Sequence, residues 1–172
     1  AQLIDYRCGG EPLIWLSEDA RLAPGKSIRG GVPICWPWFG AHPHDPSLPA
    51  HGYARTVPWR LLRVDASAAN RTVLEFALQQ SEATRRMFPH ALEVRYTMSI
   101  GERLEVTLQT TNCGREPLPL SQALHSYFQV GDVRKVSLDG LDGCDYLDKV
   151  SGFERKTQHG TVRIAGEVDR IY

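Results

Sequence analysis

The stretch from Ile28 to Arg55, IRGGVPICWPWFGAHPHDPSLPAHGYAR, gathers four glycines, five prolines, two tryptophans, three histidines and two arginines. Arg29 and Arg55 bracket it. A guanidinium is a planar fork of donors that matches phosphate or carboxylate. Small neighbours, Gly30 and Ala54, leave room for a ligand beside each fork. Shared anion binding therefore stands against ordinary surface ion pairing. His42, His44 and His51, with Asp45 close by, carry an H-x-H spacing that occurs in metal sites. The segment is rich in proline and lacks the rigid element that holds ligands at fixed geometry, so no metal is expected. His42 and His44 read as solvated loop residues. His51, between Pro49 and Gly52, is better held. Trp36, Trp38 and Phe39 supply flat apolar surface, suited either to anchoring the loop in a core or to stacking under a sugar ring.

A second stretch, LPLSQALHSYFQVGD, alternates. Period two puts Leu120, Gln122, Leu124, Ser126 and Phe128 on one face, and Ser121, Ala123, His125, Tyr127 and Gln129 on the other. His125 thus lies among small and polar neighbours on an element stiff enough to aim it. Two readings stand for it, a hydrogen-bonded structural histidine and an acid/base group.

The elements that must position these residues are strands. TVLEFAL aligns Leu74, Phe76 and Leu78. LEVRYTMSI aligns Leu92, Val94, Tyr96, Met98 and Ile100, and RLEVTLQTT aligns Leu104, Val106 and Leu108. The short IGER junction between the last two predicts a hairpin. Shorter strands fit LIWLS, WRLLRV, KVSLDG and TVRI. SEATRRMF fits a turn or two of helix, with Ser81 as its cap and Pro89 after its end. Long amphipathic helices do not alternate with the strands, which disfavours a doubly wound α/β fold. The expectation is all-β: one antiparallel β-sandwich domain over residues 1–172 with few short helices.

The 172 residues suffice for a real core. Lys plus Arg number 20 and Asp plus Glu number 20, so no long-range field points to nucleic acid or an anionic membrane. No apolar run approaches the roughly 20 residues of a membrane span. The four cysteines, Cys8, Cys35, Cys113 and Cys144, form no C-x-x-C pair, which fits reduced thiols and a cytoplasmic setting. The chain starts at Ala1 and stops at Tyr172 inside strand-like alternation, so both ends read as interior positions of a longer chain.

Taken together and in this order, IRGGVPICWPWFG, LPAHGYAR, ALHSYFQVGD and GEVDRIY resemble the aldose 1-epimerase superfamily. The closest likeness is to its glucose-6-phosphate 1-epimerase branch, the D-hexose-6-phosphate mutarotases. The resemblance implies a galactose-mutarotase-like β-sandwich (supersandwich) with its site on the concave face. It implies no metal and no organic cofactor, and action on hexose 6-phosphates, glucose 6-phosphate foremost; a monomer is expected. Under it His125 is the catalytic acid. Arg29 and Arg55 bind the substrate's phosphate, Asp169 binds a sugar hydroxyl, and His51 lines the pocket. Ala50 stands where some relatives carry a glutamine ligand. The family's general base is a glutamate several strands beyond DRIY, and Glu75, Glu93, Glu105 and Glu167 do not share its context. The rival reading is a non-catalytic carbohydrate-binding β-sandwich that uses Trp36, Trp38 and the arginines without His125.

Overall fold

The structure is a computed structural model that describes residues 2–172. The chain divides into two compact units, Ala1–Gln129 and Val130–Tyr172.

The first unit holds strands β1 (Arg7–Cys8), β2 (Glu11–Pro12), β3 (Ile34–Cys35), β4 (Trp59–Ala68), β5 (Arg71–Leu78), β6 (Leu92–Gly101), β7 (Leu104–Asn112) and β8 (Ala123–Leu124). Its helix α1 (Glu82–Met87) is capped by Ser81, whose hydroxyl accepts from the Thr84 N–H while the Thr84 hydroxyl accepts from the Ser81 N–H. Strands β4 to β7 form a four-stranded antiparallel meander in sequence order. The expected hairpin closes β6 on β7, with Ile100 opposite Leu104. Register stacks the apolar residues in rows across the sheet: Leu74, Met98 and Val106 in one, Phe76, Tyr96 and Leu108 in the next. Val94, Tyr96 and Met98 are buried, and Glu93, Glu105 and Thr107 are exposed. A strand that buries one face must alternate in this way.

The glycine- and proline-rich stretch threads the core rather than lying over it. Val32, Ile34, Trp36, Trp38, Tyr53 and Ala54 pack with Leu3, Ile14, Val94 and Tyr96 in one buried cluster. The Trp36 indole N–H donates to Thr110 Oγ1 at 3.0 Å and that of Trp38 to the Pro49 carbonyl at 2.9 Å. A buried indole keeps its large apolar payload only if its N–H is satisfied, and both are. Neither ring has a face left for stacking beneath a sugar, so the rival binding reading keeps only the arginines. Phe39 remains exposed.

The second unit contains a 3₁₀ turn (Val133–Lys135) and strands β9 (Ser137–Leu138), β10 (Asp145–Asp148), β11 (Glu154–Thr157), β12 (Val162–Arg163) and β13 (Arg170–Ile171). β10 lies between β11 and β13, and β9 pairs with β12. Buried Tyr146 sits under the Arg170 guanidinium, 4.6 Å from its ring centroid. Buried Gln158 accepts from Tyr172 Oη at 2.9 Å and from Arg170 at 3.0 Å.

Burial pushes the Tyr53 and Tyr96 phenols up from 10.0 to about 12. The unfolded chain releases these protons near pH 10, whereas the folded chain holds them until about pH 12. Across that window the unfolded state binds fewer protons, so stability falls as pH rises. Thermal melts should be flat from pH 8 to 9.5 and drop steadily above pH 10, with phenolate absorbance appearing at the unfolding transition. Melting temperatures unchanged up to pH 12 would contradict this burial. No described helix is long and apolar enough to cross a membrane.

Candidate functional site

The site is built on a ribbon. β3 pairs antiparallel with β8, Cys35 opposite Ala123 and Ile34 opposite Leu124. The pairing continues past both ends: Ser121 N–H donates to the Pro37 carbonyl at 3.2 Å, His125 N–H to Pro33 at 3.1 Å, and Tyr127 N–H to Gly31 at 2.9 Å. The sequence predicts an extended run over 120–129. Only Ala123–Leu124 forms a regular ladder, because the partner segment is interrupted by Pro33 and Pro37, which have no N–H to give. The alternation of faces survives. Leu124, Ser126 and Phe128 line an apolar hollow of about 570 Å³ with Ile14, Val32 and Leu104. His125 and Tyr127 lie on the other side, ring centroids 4.7 Å apart.

At Gly31 three segments meet in a closed ring of backbone bonds. Trp15 N–H donates to Tyr127 at 3.0 Å, Tyr127 N–H to Gly31 at 2.9 Å, and Gly31 N–H to Trp15 at 2.7 Å. Gly31 has φ +71°, and a Cβ there would collide with the Leu3 carbonyl. Only glycine permits that approach, so Gly31 fixes the end of the ribbon that carries His125.

His125 is exposed. Residues directly opposite in an antiparallel pair share a face, and residues two apart on a strand do too. Cys35, opposite Ala123, therefore lies on the side of His125. The Arg55 guanidinium acts on the Cys35 thiol; burial pushes that thiol up against the pull of the arginine. Cys35 is a buried neutral thiol, and the other three cysteines are exposed and unpaired. Arg55 also donates to the Ala50 carbonyl at 2.8 Å, so the backbone of Ala50 steers the arginine.

Arg55 lines a hollow of about 560 Å³ and Arg29 one of about 480 Å³, and Lys26 borders both. Among the described residues neither arginine nor Lys26 has a carboxylate within ion-pair distance, although Asp19 lines the Arg29 hollow. That arrangement suits an anion from solution.

His51 closes its own loop. Its N–H donates to the Gly40 carbonyl at 2.6 Å, and its Nδ1 accepts from the Gly40 N–H at 3.2 Å. The ring packs edge-on against Phe39. His42 works as a turn cap, its Nδ1 accepting from the His44 and Asp45 N–H groups at 3.3 and 3.0 Å. Among the described residues no three His, Cys, Asp or Glu side chains come together as metal ligands. In the second unit, Asp169 is exposed and precedes β13. Its carboxylate pairs with Lys149 Nζ, and its carbonyl accepts from the Lys149 N–H at 2.9 Å. Glu75 and Glu93 are both bonded to Arg95 on the outer face of the β4–β7 sheet. Neither is available as a base.

Two residues join this face without having been singled out as functional in sequence, Tyr127 and Trp15. Tyr127 carries a signal, its i+2 spacing from His125. Trp15 carries none, since only tertiary pairing brings it beside Tyr127, with ring centroids 5.8 Å apart.

The profile of the family described as Aldose 1-epimerase matches residues 1–172. The chain is 37% identical over 174 residues to an Escherichia coli K12 protein named "Putative glucose-6-phosphate 1-epimerase", covering all of this chain and 57% of that one. It is 34% identical over 172 residues to a protein of the same name from Cenchrus ciliaris, covering 95% of this chain and 51% of that one. A crystal structure described as a putative mutarotase from Salmonella typhimurium superposes with a TM-score of 0.89 at 36% identity, over 98% of this chain and 56% of that one. The chain thus spans somewhat over half the length of the relatives it matches. Mostly strands with a single described α-helix, the chain has the all-β, mutarotase-like fold of that structure. By profile, sequence and fold alike, this chain belongs to the aldose 1-epimerase family.

Proposed function

We propose that the full-length protein interconverts the α and β anomers of hexose 6-phosphates, glucose 6-phosphate foremost, by ring opening and reclosure. The observation that carries this reading is the solvent-facing His125, held in place by paired backbone. Ring opening needs a proton delivered to the ring oxygen and one removed from the C1 hydroxyl. Rotation about C1–C2 turns the aldehyde over, and reclosure reverses both transfers. No electrons are exchanged and no covalent adduct is required. A paired acid and base each contribute roughly 10²–10⁴-fold.

His125 is the acid in this scheme, since imidazole exchanges protons near neutral pH. Arg29 and Arg55 hold the phosphate, so the ring oxygen meets the imidazole in a fixed pose. Asp169 accepts from a sugar hydroxyl through the carboxylate that Lys149 steadies. His51 forms pocket wall through the loop it closes. The base is assigned to none of Glu75, Glu93, Glu105 or Glu167; in this proposal it is a glutamate from a later strand, beyond Tyr172.

The direct test is two-dimensional NMR exchange between the anomers of glucose 6-phosphate. Added full-length protein should speed exchange far above the buffer rate, and an unchanged rate would reject the reading. Arg55→Ala should raise KM for glucose 6-phosphate on the order of ten- to a hundredfold, as loss of charge-assisted hydrogen bonds implies. Free glucose should be little affected. Equal effects on the two sugars would remove the phosphate from the role of Arg55.

A further inference from the structure

We infer that Trp15 and Tyr127 form the sugar-contacting platform of this site, with Trp15 as a direct ligand of the pyranose and Tyr127 as the positioning residue for His125. The inference rests on the carbohydrate reading above and extends it to two residues.

Three rings run in a row on the His125 side of the ribbon. His125 lies 4.7 Å from Tyr127 with planes 38° apart, and Tyr127 lies 5.8 Å from Trp15 with planes 34° apart. Trp15 and Tyr127 are half-buried, so each keeps part of its surface in solvent. The row is stiff because the closed ring of backbone bonds at Gly31 pins both residues to each other.

The tryptophans divide by what their indole N–H groups do. Those of Trp36, Trp38 and Trp59 donate to Thr110 Oγ1, the Pro49 carbonyl and the Ala54 carbonyl. Among the described residues Trp15 alone has no protein acceptor. The three satisfied indoles anchor the fold. The fourth presents an apolar face and a spare donor beside Tyr127. A pyranose offers the complement, an apolar C–H face and a rim of hydroxyl oxygens.

Tyr127 acts on His125 through packing. A ring at 4.7 Å removes rotamer freedom from an otherwise exposed imidazole, and misaligned proton transfer is slow.

The test uses the full-length protein with ¹⁵N-labelled tryptophan. The Trp15 indole signal is the one missing from Trp15→Phe. Addition of glucose, and separately of glucose 6-phosphate, should shift that signal, whereas the signals of Trp36 and Trp38 stay in place. In kinetics, Trp15→Ala should raise KM for both sugars by a similar factor, about three- to tenfold, with kcat little changed. Tyr127→Leu should lower kcat at least about tenfold with a small change in KM, and Tyr127→Phe should restore it. A Trp15 signal unmoved by saturating sugar, a KM effect confined to the phosphorylated sugar, or full activity in Tyr127→Leu would overturn the inference. Failure of the native protein to exchange anomers would reject the epimerase reading, and the Trp15 signal would still decide the sugar contact.

Discussion

Replacing His125 by Asn in the full-length protein should slow anomer exchange by about 10²- to 10⁴-fold, the range a positioned acid contributes. Binding of glucose 6-phosphate should be largely unchanged. Asparagine keeps a polar group of similar size but cannot deliver and recover a proton near neutral pH. The fold should tolerate the change. The imidazole is exposed, and the bond that holds this residue in the ribbon is its backbone N–H to the Pro33 carbonyl, which survives substitution. Stability should therefore move by no more than about 0.5 kcal/mol. Exchange NMR gives the rate and a titration followed by NMR gives the affinity. Exchange near the native rate would remove His125 from the role of acid. Equal loss of rate and binding would make it a binding residue instead.

Gly52→Ala should be the most damaging small substitution in the HGYAR segment, costing at least about 4 kcal/mol. Gly52 has φ +70°, and a Cβ there would fall on the Trp36 carbonyl. That carbonyl accepts from the Tyr53 and Ala54 N–H groups at 3.0 and 3.3 Å. Making room means moving the backbone of a fully buried tryptophan and the segment that leads into Arg55. Gly40→Ala isolates the two effects. Gly40 has a similar φ of +80° but open space around it. It should show only the conformational penalty, about 1–2 kcal/mol. Denaturant unfolding of both variants provides the comparison. Equal losses would mean that close approach of the backbone contributes nothing at Gly52.

The regular sheet was legible before any coordinates. Leu92 to Ile100 and Leu104 to Leu108 alternate because one face of each strand is buried, and the pleat has period two. IGER left room for nothing but a tight reversal. Ser81 capped α1 as expected, because a hydroxyl just before a helix satisfies an N–H that would otherwise lack a partner. The short strands were harder. LIWLS was read as a strand, yet it makes only isolated bridges, Ile14 to Phe128 and Leu16 to Gly30. Its partners lie on two different segments, and nothing local in sequence encodes that junction. The aromatic cluster in PICWPWFG left anchoring and stacking open, since large aromatics serve both. Only burial decided for anchoring.

Residue types alone established an all-β chain, the side of its ribbon that His125 occupies, and the candidate chemistry of an imidazole with two guanidinium forks. Those properties are local: pleat alternation and side-chain functional groups need no distant partner. The tertiary structure decided that Trp36 and Trp38 belong to the core, which indole N–H groups are satisfied within the fold, and that Trp15 lies beside Tyr127. These depend on backbone bonds between segments up to 116 residues apart, from Leu13 to Gln129 (129 − 13), and such closures are set by the packing of the whole unit.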